Sequence, residues 1–310
     1  WRLVRAVVRQ AQIEHVDEAG GPCQAQVTRG LLGAFGPERV RDTPISETAF
    51  VGAAAGAALT GMRPIAELMF VDFAGVCLDQ IVNQIAKFRY MFGGHARTPL
   101  VIRATFGAGT RSAAQHTQAF YPVFTHFPGL KVVIPSNPYD AKGLLLQAIR
   151  DDDPVIFLEN KMLYDTVGEV PDGAYTVPFG EARVVRDGSD VLLIAFGRMV
   201  QVAEEAARKL ASEGVSACVI DPRTTSPLDE DTLLEFTEEI GRVVIIDEAN
   251  PRCGMASDIS ALLADKCFHA LKAPIKMVTA PHCPVPYAPN LEDAYVPNAD
   301  AVIKAVKSII

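Results

Sequence analysis

Three short segments of this 310-residue chain carry side chains that could support chemistry, and the first is DTPISE at residues 42–47. Ser46 or Thr43 can cap a helix that begins near Glu47, and a carboxylate in the first turn of a helix commonly does no more than complement the helix dipole. The residues that follow, AFVGAAAGAALT, offer almost no polar side chain to keep this carboxyl group hydrated. Burial favours the protonated form, so Glu47 could share a proton with a ligand nitrogen.

The second segment, ELMFVDF at residues 67–73, has the alternation of a β-strand. This alternation predicts that one face of the strand carries Glu67, Met69, Val71 and Phe73. Neighbouring Met and Phe side chains form a polarizable apolar surface on which a flat heterocycle could lie. An ordinary core strand has the same pattern, so the residues alone leave both interpretations open.

The third segment, AAQHTQ, places His116 among small and polar residues directly after a glycine-containing loop. This loop, GAGT at residues 107–110, lacks the third glycine of a dinucleotide-binding fingerprint, and no ribose-binding acid follows it. We therefore predict a flexible loop that leads into a site, and a nicotinamide-dependent oxidoreductase is disfavoured. His116 is a candidate active-site imidazole at a strand end, with a structural histidine as the alternative.

Apolar, β-branched segments alternate along the chain with amphipathic or alanine-rich ones. The first kind predicts buried parallel strands at residues 100–105, 131–134, 155–158, 191–196, 217–220, 243–247 and 275–279. The second kind predicts helices at residues 47–60, 74–91, 139–150, 200–212, 229–239, 255–266 and 299–309. This alternation indicates an α/β protein with mostly parallel sheets.

A stretch rich in Gly, Asp, Pro and Tyr at residues 161–190 is the best candidate for a domain boundary. We expect one α/β domain over residues 1–175 and a smaller one over residues 185–310, in line with about 150 residues per domain. The expected helices 47–60 and 74–91 combine small or amide side chains with apolar ones. That pattern is typical of a subunit interface, but it also occurs in ordinary buried or surface helices.

Composition argues against several classes of function. The chain has 29 Lys and Arg against 37 Asp and Glu, a net charge of −8, so there is no general electrostatic case for binding nucleic acid or an anionic membrane. No apolar run reaches the ~20 residues of a membrane span. Six cysteines without a C-x-x-C pair argue against a zinc ribbon or a disulfide scaffold and favour a cytoplasmic setting.

Longer motifs resemble one protein family. These motifs are RDTPISETAFVGAAAGAALTGMRPIAELMFVDF, DQIVNQIAKFRYMFGG, AAQHTQ and PRCGMASDISALLADK. They are similar to the beta subunit of the thiamine-diphosphate-dependent decarboxylating component of 2-oxo acid dehydrogenase complexes, from about Gly20 to the C-terminus. The chain looks most like the acetoin dehydrogenase type, then the pyruvate type, then the branched-chain type. The resemblance implies a transketolase-like pyrimidine-binding domain followed by a transketolase C-terminal-like domain.

The resemblance also implies roles for the candidate residues. Glu47 would hydrogen-bond the aminopyrimidine of thiamine diphosphate and so help to make the thiazolium carbon nucleophilic. Met69 and Phe73 would form the apolar bed of the pyrimidine. His116 would be the imidazole near the substrate carbonyl, for positioning or proton transfer.

A potassium site is a further implication of the resemblance. In the related pyruvate enzyme a structural potassium ion is held by groups that fall here on Leu100, Ala148, Asp151 and Asp153. Backbone oxygens and carboxylates suit such a hard cation. A solvated loop containing three aspartates, DDD at residues 151–153, is the alternative.

The sequence lacks the G-D-G…N-N motif with which the family's alpha subunit holds the diphosphate and Mg²⁺. The resemblance therefore implies half a site, an alpha partner in an α2β2 heterotetramer, and docking to a dihydrolipoyl acyltransferase core. The expected activity is cleavage of acetoin, or decarboxylation of pyruvate or a branched-chain 2-oxo acid, with acyl transfer to lipoamide. A non-catalytic assembly subunit is the alternative outside the enzymes.

The N-terminal segment departs from the family pattern. The family has G-E-[DE]-V at this point, with an acid in the cofactor channel, whereas this chain has Ile13-Glu14-His15-Val16. Glu14 is the residue that could keep the channel role.

Overall fold

The computed structural model describes residues 6–10, residue 28 and residues 30–310, so the N-terminal motif with Glu14 lies outside the described residues. The described strands are β1 (Ala6–Gln10), β2 (Val40–Thr43), β3 (Pro64–Phe70), β4 (Val101–Phe106), β5 (Lys131–Val133), β6 (Val155–Asn160), β7 (Arg183–Arg186), β8 (Val191–Ala195), β9 (Ala217–Asp221), β10 (Thr224–Ser226), β11 (Val243–Asp247) and β12 (Lys276–Thr279). All seven strands predicted from apolar runs are present with small shifts of their ends, but β12 lies at a sheet edge and is not buried as predicted.

The described α-helices are α1 (Leu31–Phe35), α2 (Glu47–Leu59), α3 (Phe88–Met91), α4 (Tyr121–Thr125), α5 (Pro138–Arg150), α6 (Arg198–Ala211), α7 (Glu230–Ile240), α8 (Met255–Lys266), α9 (Pro289–Tyr295) and α10 (Ala299–Lys307). Asn137, Asp229 and Asn298 begin α5, α7 and α10, because each side chain accepts a backbone N–H from the first turn. Within the described residues, no helix is long and apolar enough to cross a bilayer.

The strands form two sheets. The first has the order β10-β5-β6-β4-β3-β1-β2 and the second β12-β11-β8-β9-β7. Neighbouring strands are parallel except at two edges, where β10 pairs antiparallel with β5 and β7 pairs antiparallel with β9. β10 lies between β9 and β11 in the sequence, so the second half of the chain supplies an edge strand to the first sheet. The α/β class with mostly parallel sheets is confirmed.

The central strands are buried on both faces, which explains their continuous apolar sequences. Every residue of β4, β8, β9 and β11 is buried. One hydrophobic cluster includes residues of both sheets, for example Phe106 and Ile134 with Ile194 and Phe196. The carboxyl ends of the strands that flank this cluster are therefore held in a fixed relation to one another.

The segment predicted as helical at residues 74–91 is helical, but its pitch is irregular. A 3₁₀ segment over Val71–Cys77 is followed by a π-helical turn over Gln80–Ile85 and then by α3. Wide π turns shift the apolar stripe relative to a regular α-helix, and they are frequent at functional sites. The periodicity of apolar residues identified a helical segment but could not reveal its changing pitch.

Helix α2 buries one face and leaves its glycines open. Phe50, Val51 and Ala54 lie in the core. A Cβ built on Gly52 would meet only the Gln80 side chain, at 3.6 Å, and one built on Gly56 would meet nothing. Because glycine inside a helix costs up to ~1 kcal/mol relative to alanine, an open glycine face suits contact with another chain. Within this chain, the described residues bring no backbone close to it.

Candidate functional site

Glu47 lies where the sequence predicts it, in the first turn of α2, and its side chain is buried at 7% exposure. Ser46 precedes it, but its side chain makes no capping hydrogen bond, so of the two predicted caps Ser46 does not act as one. The Thr48 hydroxyl donates to the Val76 carbonyl at 2.8 Å and joins α2 to the 3₁₀ segment. Burial raises the pKa of the Cys77 thiol to about 12, and the nearby Glu47 charge adds to this shift. The carboxyl group is thus held in a poorly hydrated place.

An apolar surface lies beside His116, and it is formed by Phe73, which the sequence predicts, and by Phe70, which it does not. β3 ends at Phe70, and Phe73 lies on the 3₁₀ segment. The predicted strand face shared by Met69 and Phe73 is therefore wrong. The Phe70 and Phe73 rings both meet the His116 imidazole edge-on, at centroid distances of 4.9 and 5.2 Å. An irregularity in the pairing of β3 with β4 between Leu68 and Phe70 interrupts the alternation.

The loop after β4 is anchored by acids from the second half of the chain, which corrects the expectation of a flexible loop. The Ala108 N–H donates to Glu248 at 2.6 Å, and the Gly109 N–H donates to Glu292 at 2.7 Å. The Arg111 N–H also donates to Glu292, at 3.1 Å. These N–H groups are the kind that cradle phosphates in nucleotide loops, and here protein carboxylates occupy them.

Gly107 is required at the start of this loop. Its φ is +96°, and an added Cβ would lie 2.4 Å from the Asn160 side-chain nitrogen and 2.8 Å from a Glu248 oxygen. The same Asn160 nitrogen donates to Glu248 at 2.7 Å. Desolvation by burial raises the pKa of Glu248. The glycine therefore allows a buried acid to approach the loop backbone closely.

Sequence reasoning missed several polar groups around His116. Lys161 follows β6, is buried, and donates from Nζ to the His116 carbonyl. Asp72 accepts the Gln118 N–H at 3.1 Å and the Gln118 side-chain amide at 2.9 Å. A usable signal existed, because Asp72, Lys161 and Glu248 each lie within two residues of a strand's carboxyl end, where sites form in parallel sheets.

A cavity of about 270 Å³ lies beside this segment. Its lining combines Thr117 and Gln118 with Glu248, His282 and Tyr295 from the second half of the chain. A larger surface groove of about 970 Å³ is lined mainly by residues from segments 85–94 and 128–131. It also includes Asp153 of the predicted potassium set, but none of the residues predicted to bind thiamine diphosphate.

The backbone groups proposed to bind potassium already have hydrogen-bond donors. The Leu100 carbonyl accepts the Val155 N–H at 2.9 Å, and the Ala148 carbonyl accepts the Asp151 N–H at 3.3 Å. A carbonyl oxygen has two lone pairs, so one hydrogen bond leaves each of these oxygens able to bind a potassium ion as well.

The acidic groups of the same set are paired with cationic side chains. Both Asp151 carboxylate oxygens lie 2.7 Å from the Lys131 Nζ, and the Asp153 carboxylate lies 2.5 Å from the Arg89 guanidinium. Arg63 donates to the Asp151 carbonyl at 2.6 Å. Among the described residues, no group of three His, Cys, Asp or Glu could hold a metal ion. In this arrangement the set does not fit a potassium ion.

The residues near α2 fit part of thiamine diphosphate better. A buried carboxyl group and edge-on aromatic rings suit a flat aminopyrimidine. Both lie next to the 3₁₀ segment, because Val76 of that segment contacts Thr48 and Phe73 of that segment contacts His116. The loop amides, a type of donor that binds diphosphates, are held by Glu248 and Glu292. The described site thus fits the pyrimidine end and lacks an evident diphosphate cradle.

Comparisons with known proteins agree with this geometry. Residues 8–166 match the transketolase pyrimidine-binding domain, and residues 180–302 match the transketolase C-terminal domain. A solved split-gene transketolase, described as an inactive beta4 tetramer, superimposes with a TM-score of 0.79 at 25% identity. The superposition covers 98% of this chain and 91% of that one.

Curated relatives narrow the family. Acetoin:2,6-dichlorophenolindophenol oxidoreductase subunit beta of Cupriavidus necator is 62% identical over 91% of this chain and 83% of its own length. The subunit of the same name from Bacillus subtilis is 56% identical over 97% of this chain and 88% of its own. The pyruvate dehydrogenase E1 component subunit beta of Rickettsia felis is 45% identical over 92% and 87%. The chain therefore belongs to the transketolase-like family of thiamine-diphosphate-dependent dehydrogenase beta subunits.

Proposed function

We propose that this chain is the beta subunit of an acetoin dehydrogenase component that cleaves acetoin and passes the acetyl group to lipoamide. The observation that carries the substrate assignment is the identity of 62% and 56% to two acetoin oxidoreductase beta subunits, against 45% to a pyruvate dehydrogenase beta subunit. A pyruvate dehydrogenase component is the second candidate. A 2-oxoisovalerate dehydrogenase beta subunit of Bacillus subtilis, at 42% identity, represents the third.

Thiamine diphosphate, when bound, supplies a carbon nucleophile for attack on the substrate carbonyl. In the proposed site, Glu47 hydrogen-bonds the aminopyrimidine, and burial against the apolar face of α2 keeps water from its carboxyl group. Met69 and Phe73 form the apolar bed, and the Phe70 ring belongs to the same surface through its contact with His116.

His116 orients the substrate carbonyl or moves a proton to and from its oxygen. The two edge-on phenylalanine rings limit how far the imidazole can turn. Asp72 fixes the backbone two residues further along through the Gln118 N–H. An imidazole held in one orientation is suited to moving a proton to and from a substrate oxygen.

The diphosphate and Mg²⁺ belong to an alpha subunit in this proposal, because the chain has no diphosphate motif of its own. The open glycine face of α2 and the exposed side chains Tyr90, Met91 and Phe92 provide surfaces for contacts in an α2β2 heterotetramer. The proposal also includes docking to a dihydrolipoyl acyltransferase core, a division into domains at residues 1–175 and 185–310, and a cytoplasmic setting. The proposal gives potassium no role, because the carboxylates predicted to bind it, Asp151 and Asp153, pair with Lys131 and Arg89.

The test is co-expression with a matching alpha subunit and assay of acetoin against pyruvate, with transfer to lipoamide as the readout. Glu47→Gln should assemble normally but lose nearly all turnover, because the amide cannot share a proton with the aminopyrimidine. Exchange of the coenzyme C2 proton for deuterium, followed by NMR after acid quench, should slow in parallel.

Glu230→Gln is the matched control, since Glu230 also lies in the first turn of a helix but is exposed. Its activity should stay at the level of the unmodified enzyme. Full turnover of Glu47→Gln would refute the role of Glu47. Turnover of pyruvate with none of acetoin would replace the acetoin assignment by the second candidate.

A further inference from the structure

Lys161 is a buried cation directly under the His116 segment. Its side chain follows the carboxyl end of β6 and is 6% exposed. Nζ donates a hydrogen bond to the His116 backbone carbonyl and lies 5.4 Å from the centroid of the Phe70 ring. The ammonium thus touches both the backbone that carries the imidazole and a ring that packs against it.

Three acids face this ammonium from three different elements. They are Asp72 after β3, Glu248 after β11 and Glu292 in α9, and each favours the charged form of Lys161. Desolvation by burial acts in the opposite direction and is the larger effect, so the pKa of Lys161 is lowered to about 8. A buried ammonium is costly to keep. In the described part of the chain, this ammonium donates a hydrogen bond to the His116 carbonyl.

We propose that Lys161 is the positioning residue for His116, holding the carbonyl of that residue so that the imidazole keeps its place between Phe70 and Phe73. The inference rests on the proposed function, because it takes His116 to be the imidazole that acts on the substrate. Lys161 acts through His116 and the Phe70 ring rather than by contact with substrate. The segment is otherwise fixed at Gln118 by Asp72, so Lys161 supplies the anchor at His116 itself.

The experiment compares Lys161→Met and Lys161→Arg in the enzyme assembled with its alpha subunit. Lys161→Met removes the charge and the donor at similar volume and should lower kcat about 10- to 100-fold, because small displacements of an active group reduce rates on this scale. KM for acetoin should change less than threefold. Lys161→Arg keeps a charged donor and should recover part of the lost kcat.

Two further readouts separate positioning from a merely structural role. The melting temperature of Lys161→Met should be unchanged or higher, because a costly buried charge is removed. In the unmodified enzyme, kcat should fall as pH rises above about 8, where Lys161 loses its proton. This alkaline limb should be absent in Lys161→Met and move to higher pH in Lys161→Arg.

Lys272→Met is the matched control, since Lys272 also donates from Nζ to a backbone carbonyl, that of Ile240, at 2.8 Å. It should leave kcat and the pH profile unchanged. Labelling of His116 by diethyl pyrocarbonate, followed by mass spectrometry, should become severalfold faster only in Lys161→Met.

A kcat of Lys161→Met within twofold of the unmodified enzyme, or an alkaline limb that persists in it, would overturn the inference. His116→Gln is measured in the same assay. If it retains full turnover, the assignment of His116 in the proposed function fails, and the role of Lys161 with it. If His116→Gln loses turnover while Lys161→Met keeps it, only the role of Lys161 fails.

Discussion

Two groups of acids in this molecule are used in different ways. Asp151, Asp152 and Asp153 occupy a partly exposed turn and pair with basic side chains; both Arg63 and Arg97, for example, contact Asp152. Glu248 and Glu292 are 4% and 0% exposed, lie 44 residues apart in the sequence, and accept backbone N–H groups of the loop after β4. The first group is conspicuous in the sequence, and the second holds the loop that leads to His116.

The two groups of acids differ because basic side chains pair with the aspartates, whereas backbone N–H groups donate to Glu248 and Glu292. Ion pairs in contact with water contribute little to stability because solvent competes for both charges. A buried carboxylate must be satisfied by fixed donors, and the N–H groups that satisfy it are fixed in turn. The buried acids therefore impose a backbone conformation, whereas the aspartate turn mainly balances neighbouring positive charges.

The largest expected effect comes from removing a buried acid. Glu292→Ala should lower the free energy of unfolding by about 3–5 kcal/mol, because two loop N–H groups lose their acceptor in a dry place. Urea unfolding of the assembled enzyme measures the change. Asp293→Ala is the matched control: Asp293 is the next residue, also bonds Arg111, and has a side chain that is 66% exposed. Equal losses in the two variants would contradict the contrast between buried and exposed acids.

The next effect is a pH dependence that only a buried acid should show. Burial raises the pKa of Asp221 from 3.8 to about 6, despite the Arg223 N–H at 2.9 Å. The folded state then binds more protons than the unfolded state between these values. The resulting stabilisation is fully present below about pH 4 and is lost as pH rises to about 6.

Asp221→Asn should lack this pH dependence, so the free energy of unfolding of the unmodified protein relative to this variant should fall by about 2 kcal/mol between pH 4 and 6. Urea unfolding at several pH values measures it. Asp172→Asn, at an exposed position, should leave the profile unchanged. A constant difference between the unmodified protein and Asp221→Asn over this range would show that burial does not control Asp221.

The smallest expected effect concerns the aspartate turn. Potassium and sodium chloride at equal concentration should give the same melting temperature, because Lys131 and Arg89 already neutralise Asp151 and Asp153. In Lys131→Met the Asp151 carboxylate loses its Lys131 partner, so the melting temperature can differ slightly between the two salts. A clear potassium-specific rise in the unmodified enzyme would restore the cation site implied by the family resemblance.

The sequence by itself determined the class of fold and the position of Glu47. Apolar, β-branched runs located the buried strands because a strand covered on both faces must be apolar along its whole length. The alanine-rich stretch located α2 and its buried first-turn acid. These are local properties, and neighbouring residues suffice to specify them.

Which residues meet His116 depends on contacts between segments that are distant in the sequence. The irregular pairing of β3 with β4 brought Phe70 to the imidazole, and the packing of the two sheets brought Glu248 and Glu292 to the loop. Lys161 lies 45 residues from His116 in the sequence. Contacts between distant segments depend on how sheets twist and pack, and no local pattern of residue types records that geometry.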